Sequence, residues 1–301
     1  MKEYRFVVLS EEAGIRLDIL LSNFCKEKKL GVSRTLIKAL ILKGVVSVSG
    51  TAVLNPHYKV RPQDEVRFSI EEKAPLEIKA EQIKFEIVYD DSDLAVINKP
   101  SGLVVHPAPG NYEHTLVNAL KNVFSELSDI NPARPGIVHR LDKETSGLLI
   151  IAKNNFSHLG LTRQFTEHTI KKEYIAIVKG IMEFDEGVVE APISRHLYKR
   201  KNMAVSFTQK AKEAKTYYRT LKRFKDFSLI ELHPFTGRTH QLRVHLDFIG
   251  HPILGDEKYG KNNKFSRLAL HAKRLIFTHP RTGKIIDLTA PTPEELLAHT
   301  K

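Results

Sequence analysis

The chain has 301 residues, 42% hydrophobic and 27% charged, with 47 Lys and Arg against 35 Asp and Glu, a formal charge of +12. That length allows one large domain with a real core plus a small one, and the basic excess points to a polyanion partner, most simply nucleic acid. A single cysteine, Cys25, excludes an intrachain disulfide framework or a cysteine-based metal site, and no apolar run approaches the roughly 20 residues of a membrane helix. The N-terminus carries only a short apolar run followed by Glu11 and Glu12, so it does not read as a signal peptide, and a cytoplasmic protein is expected.

In chain order, the first elements form a small module over residues 1–70. Ile15, Ile19 and Leu20, with Leu17, Leu21 and Phe24 alongside, have helical spacing. A second helix follows with Ser33 as N-cap, a stripe of Leu36, Leu40 and Ile41, and Gly44 as the stop. VVSVSG and DEVRFSI then alternate as short strands. The module holds twelve Lys and Arg against seven Asp and Glu, a net +5. Residues 71–84 are charged, contain Pro75 and lack an apolar period, which predicts a linker.

From 85 to 301 the pattern is dominated by short β-rich runs: FEIVYDD, LAVINK, GLVVHP, SGLLIIAK, EYIAIVKG, AKTYYRTLKRF and FSLIELHP. Helices are predicted over HTLVNALKNVFSEL and NFSHLGLTRQFTEH. The fold class is therefore α+β: a domain around a large mixed or antiparallel sheet, preceded in the chain by a small α+β domain. Residues 195–223 carry ten Lys and Arg against one acid, Glu213, with Tyr198, Phe207, Tyr217 and Tyr218 interleaved. Cations neutralise phosphates and aromatic faces stack on bases, although a solvated hairpin with its aromatics on the core would show the same pattern.

Several chemistries are excluded by spacing. GDEKYGKN (255–262) nearly spells a phosphate-binding loop, but Asn262 stands where Ser or Thr should hold Mg²⁺. GxGxxG and GxSxG are absent, and His240 and His245 are five residues apart with no HExxH, so no metal site is expected. A helix is predicted from about Thr239 to Ile249, with Leu242, Leu246 and Ile249 as its apolar stripe and Gly250 as its stop. Arg243 and Asp247 fall on another face and Arg238 just before the helix, so its N-terminal end reads as an anion site. A surface Arg243–Asp247 pair is the plainer alternative.

Asp142 lies in a polar turn, Arg140 to Gly147, at the mouth of an apolar run. A carboxylate beside a guanidinium stays ionised at neutral pH and suits nucleophilic or electrostatic work rather than general acid work. A capping Asp bonded to its own backbone accounts equally well for an acid in a turn.

HRLDKETSGLLIIAK (139–153) resembles the signature of the RluA-type RNA pseudouridine synthases, and INKPSGLVVHP (97–107), KKEYIAIVKG (171–180), GRTHQLRVHL…GHPILGDEKYG (237–260) and LALHAKRLIFTHP (268–280) resemble the other blocks of that family in the same order. The first module resembles the alpha-L RNA-binding domain shared with a small-subunit ribosomal protein, an RluD-like arrangement. The resemblance implies isomerisation of uridine to pseudouridine in RNA, with no cofactor, metal or ATP. It puts the essential carboxylate at Asp142, as nucleophile or as base for a glycal-like route. It puts the base-stacking tyrosine, the favoured remover of the C5 proton, at Tyr174, the partner of Asp142 at Arg243, and the residue that fills the gap left by a flipped nucleotide at Arg140. Arg238, Arg16, Arg34 and Lys38 are further expected RNA contacts. Ribosomal RNA is the expected substrate and transfer RNA the alternative; a monomer with no membrane association is expected. A non-catalytic RNA-binding assembly protein would have lost the Asp, Tyr or Arg, and all three are present. A hydrolase of glycosidic bonds would need a second facing carboxylate.

Overall fold

The computed structural model describes residues 2–28, 30, 32–70, 78–107, 111–199, 202–260 and 265–298. The chain divides into two compact units, Met1–Glu77 and Ile78–Lys301. The sequence called 71–84 a linker; 71–77 lie outside the described residues, whereas Lys79 and Ile78 belong to the second unit, accepting bonds from Asn118 and Lys121. Among the described residues no helix is long and apolar enough to cross a membrane.

The first unit holds β1 (Lys2–Val7), α1 (Leu17–Glu27), α2 (Arg34–Leu42), β2 (Val46–Val48), β3 (Thr51–Ala52) and β4 (Glu65–Ile70), with the strands in the antiparallel order β1-β4-β2-β3. Ser33 accepts from Leu36 N at 3.3 Å, and Gly44 takes a positive φ of 71° after α2, as the stop signals require. The buried stripe of α2 is Ile37 and Ile41, with Leu40 partly buried against the same core; Leu36 is exposed. In α1 the buried set is Leu17, Leu20, Leu21 and Cys25, and Ile15 precedes the helix. Both stripes close on Val46, Val48, Val66 and Phe68 of the sheet.

The second unit contains, in order, β5 (Glu86–Asp90), β6 (Leu94–Lys99), α3 (Leu116–Val123), β7 (Ser146–Ala152), α4 (Asn155–Thr166), β8 (Lys171–Lys179) and β9 (Glu186–Glu190). Then follow β10 (Ile193–Arg195), β11 (Met203–Val205), β12 (Lys215–Arg223), β13 (Phe227–Pro234), α5 (Gln241–Phe248), β14 (Leu270–Thr278), β15 (Ile285–Thr289) and α6 (Glu294–Leu297). Among the described residues the main sheet has nine strands in the order β5-β6-β7-β14-β8-β13-β12-β9, with β15 on β14. Only β7 and β14 run parallel, so the sheet is mixed. GLVVHP, read as a strand, makes a single bridge from Val104 to Thr115 instead.

The apolar run SGLLIIA is buried along its whole length because both faces of the sheet are covered there. Leu149 and Ile151 of β7 meet Leu116 and Leu120 of α3 on one face; Leu148 and Ile150 meet Leu161 of α4 on the other. β14 lies between β7 and β8 and pairs Ala272 with Gly147 on one side and with Tyr174 on the other. The turn that precedes β7 and the tyrosine of β8 are thereby brought to the same end of the sheet.

Gly147 sits at that crossing with φ of 114°, and a Cβ there would run into the backbone N and O of Ala272. Gly147→Ala is expected to cost about 2–4 kcal/mol, read as a lowered midpoint in thermal unfolding; an unchanged midpoint would show that β7 and β14 do not approach this closely.

Candidate active site

A cavity of about 600 Å³ opens where the turn before β7, the strand β8 and the N-terminal end of α5 meet, and Arg140, Asp142, Tyr174, Arg238, His240 and Arg243 line it. The turn is closed by backbone, Thr145 N donating to Asp142 O at 3.2 Å. The carboxylate is therefore not consumed as a cap. It faces Arg243, whose Nη1 donates to Asp142 Oδ2 at 3.2 Å.

The loop after β6 holds this turn from beneath. Lys99, wholly buried, donates from Nζ to the carbonyls of Pro100, Leu103 and Lys143. Gly102 N also reaches Lys143 O, and Ser101 Oγ donates to Glu144 O at 2.6 Å. Burial pushes the Lys99 ammonium down to about 7 against the opposing pull of Glu144 and Asp142. Lys143 thus contributes its carbonyl to the turn while its side chain stays exposed.

Arg243 departs from the sequence reading. The helix expected from Thr239 starts at Gln241, with His240 as N-cap at a left-handed φ of 55°, and ends on Ile249 before Gly250. Every residue from Gln241 to Leu246 is buried, Arg243 included, so it is not a surface partner of Asp247 nor an exposed anion receptor. Its Nε and Nη2 form a fork on Asp256 at 2.7 and 2.8 Å, and the two side chains are 2% and 0% exposed. Asp256 also accepts from the backbone of Lys258 and Tyr259. Burial works against both charges, but the Asp256 bonds and the nearby Asp142 hold the guanidinium above its ordinary range, and Arg243 holds the Asp256 carboxyl below its own. In the sequence GDEKYG reads as a near phosphate loop and as part of a family block, and nothing local marks Asp256 as the acid that a buried Arg243 requires.

Tyr174 is packed into the cores of both halves of the sheet. Burial, and then the charge of Asp142, push its phenol well above the usual tyrosine range. Lys172, two residues earlier on β8, also lines the cavity; its Nζ donates to Thr236 O at 3.3 Å and burial pushes it down to about 8. His139 accepts from Ile150 N and stacks on Phe165, so it serves the scaffold. Arg140 and Arg238 are exposed on the cavity's margin, Arg238 tied to Glu213 O.

The three cations singled out in the first unit converge on one acid. Asp18, fully buried, accepts two bonds each from Arg16 and Arg34, with Lys38 Nζ at 3.8 Å. Burial raises its carboxyl, and the Arg16 and Arg34 bonds outweigh that, leaving it below the ordinary range. Three cations on one carboxylate leave positive charge facing solvent. In the 195–223 stretch Tyr198 and Phe207 are 88% and 78% exposed, whereas Tyr218 is buried and Tyr217 donates to Glu186; Arg200 and Lys201 lie outside the described residues. Among the described residues one group of metal-ligating type gathers, Asp91, Asp93 and His279, but Arg281 forks onto Asp93 and Tyr89 and His279 bond Asp91.

The RNA pseudouridylate synthase family model matches residues 93–248 and the S4 domain model residues 15–66. The chain is 46% identical over 299 residues to an uncharacterized RNA pseudouridine synthase of Bacillus subtilis, covering 98% of this chain and 96% of that protein. It is 44% identical over 304 residues to ribosomal large subunit pseudouridine synthase D of Zymomonas mobilis, covering 96% and 94%. Among solved structures, human RNA pseudouridylate synthase domain containing 1 is 27% identical with a TM-score of 0.59, over 71% of this chain and 86% of that one. The chain belongs to the RNA pseudouridylate synthase family, with an S4 domain ahead of the synthase domain, and is an RNA-acting isomerase.

Asp256→Ala leaves Arg243 buried without its main partner. It is expected to cost about 3–5 kcal/mol in chemical denaturation, whereas Glu144→Gln, whose carboxylate is 41% exposed and 3.5 Å from Arg243, should change stability little. Because the Asp256 carboxyl is held low in the fold, its contribution is full above the ordinary Asp range and is lost as pH falls through its folded value. Equal stability of Asp256→Ala and the wild type would refute the clamp.

Proposed function

We propose that the chain converts specific uridines of large-subunit ribosomal RNA to pseudouridine, with Asp142 as the reacting carboxylate. The observation that carries this reading is the Asp142 carboxylate, 16% exposed, held at the cavity by a guanidinium that is itself clamped by Asp256. Such a group reaches C1′ of a flipped nucleotide already oriented and desolvated, so little reorganisation remains for the reaction itself. Asp142 acts as nucleophile at C1′, breaking the C1′–N1 bond so that uracil leaves through N1, or as a base that takes the C2′ proton as that bond breaks and returns it to C2′ when C5 bonds to C1′. In either case the uracil turns, C5 bonds to C1′, the carboxylate is freed, and the C5 proton leaves.

Tyr174 offers a face for the base. Its phenol holds its proton at neutral pH in the free protein, so service as acceptor of the C5 proton requires a partner that relieves the raised value. Arg140, exposed at the lip, has the stacking plane that would replace a flipped base in the duplex, and Arg238 lies on the same margin. Arg16, Arg34 and Lys38, gathered by Asp18, supply phosphate contacts in the S4 unit, and the exposed Tyr198 and Phe207 suit stacking on unpaired bases. Ribosomal rather than transfer RNA is favoured by the name of the Zymomonas relative and by the S4 domain. A ribosomal RNA substrate and a single buried cysteine fit a place in the cytoplasm.

The test is large-subunit ribosomal RNA and, separately, transfer RNA from a strain lacking the gene, each incubated with the wild type and with Asp142→Asn. Pseudouridine should form with the wild type, and the variant should lose roughly 10²–10⁴-fold or more in rate. Equal rates would remove Asp142 from the chemistry; modification of transfer RNA alone would overturn the substrate assignment.

A further inference from the structure

Arg243 engages one oxygen of Asp142, Oδ2. Among the described residues the other, Oδ1, has no hydrogen-bond donor in reach, and His240 Nε2 stands 4.0 Å from it. His240 lines the cavity, is 10% exposed, and stands at the left-handed N-cap of α5, a conformation uncommon outside glycine.

The proton on the imidazole can be placed. Tyr259 Oη accepts from Met203 N at 2.9 Å and lies 2.7 Å from His240 Nδ1. Among the described residues no other acceptor meets its single hydroxyl proton, which is satisfied by pointing at Nδ1. Neutral His240 then carries its proton on Nε2, the nitrogen that faces Asp142. Burial holds the imidazole below its ordinary range; Asp142 and Asp256 pull it up, and Arg243 and Lys258 push it down. The tyrosine ring also lies over the Arg243 guanidinium at 5.3 Å, so one side chain braces both neighbours of the carboxylate.

A separation of 4.0 Å is too long for a direct bond. It is right for a bridging hydroxyl, whose oxygen would lie about 2.9 Å from each atom, accepting from Nε2–H and donating to Oδ1. If Asp142 acts on the carbons at the cleaved bond, the nearest substrate hydroxyl is the ribose 2′-OH. We propose that His240, oriented by Tyr259, is a substrate-positioning residue that clasps the 2′-hydroxyl of the target nucleotide between its Nε2–H and Asp142 Oδ1. The inference rests on the reading of Asp142 given above. It goes beyond it by naming the substrate group the site recognises, one that is both donor and acceptor and distinguishes RNA from DNA.

Two measurements test it. In the free protein, ¹⁵N-histidine NMR should find His240 as the Nε2–H tautomer in the wild type and a mixture in Tyr259→Phe; an Nδ1–H tautomer in the wild type would overturn the proposal without touching the assigned activity. With an RNA fragment carrying the modified uridine, single-turnover rates are compared for the ribo and 2′-deoxy forms of that nucleotide in wild type, His240→Leu and His240→Gln. Removing either partner of the bond, the hydroxyl or the imidazole, should slow the reaction roughly 10- to 100-fold, removing both should cost no more than one, and Gln, which keeps an N–H, should restore part of the rate. Penalties that multiply, or a wild type indifferent to the missing hydroxyl, would refute the clasp. A wild type that forms pseudouridine in no RNA would instead refute the function on which the inference stands.

Discussion

A guanidinium sealed inside a protein has to be answered by carboxylates, and the placement of those carboxylates organises this molecule's second unit. Arg243 is fully desolvated and gives two of its donors to Asp256, which is equally buried. That pair neutralises itself and is rigid. What remains is a third donor, Nη1, aimed from a fixed base at Asp142. The carboxylate at the cavity is thus positioned by a group that cannot swing away, because moving it would strand two charges in the core.

The sheet brings the other parts to this point. β14, inserted between β7 and β8, sets the turn before β7 beside Tyr174. The close approach at Gly147 and the carbonyl clasp by Lys99 fix that turn from two directions. α5 arrives from the far side carrying Arg243, and the segment after it returns Asp256 and Tyr259 to the same place. Tyr259 links the Arg243 plane, His240 and the short hairpin of β10 and β11 through Met203. A cavity with several cations around the Asp142 carboxylate follows from these contacts, and it suits a polyanionic substrate.

Much of this was legible in the chain. Helix limits set by local chemistry, such as Ser33, Gly44 and Gly250, could be read because a cap needs only its own neighbours. The β-rich runs of β6, β7, β8, β12 and β13 stood out by composition, and the ordered motifs pointed to the family. What depended on distant partners could not be read. The burial of Arg243 has no periodic signature; it is decided by Asp256, thirteen residues on and in a turn. The gathering of Arg16, Arg34 and Lys38 depends on Asp18 lying beneath them, and helical period alone put the exposed Leu36 in the stripe of α2 and missed Ile37. Which aromatics of 195–223 face solvent depended on strand register, which separates Tyr217 from Tyr218.

Arg243 is a fork locked on Asp256 that aims one donor at Asp142, and its geometry, beyond its charge, is expected to set the rate. The most direct measurement is the single-turnover rate of pseudouridine formation by Arg243→Lys, with RNA affinity determined on the same preparation. Lysine keeps the charge but has no fork to share between two acids. The rate is expected to fall about 10²-fold with RNA binding unchanged. A folded Arg243→Lys protein that modifies RNA at the wild-type rate would contradict it.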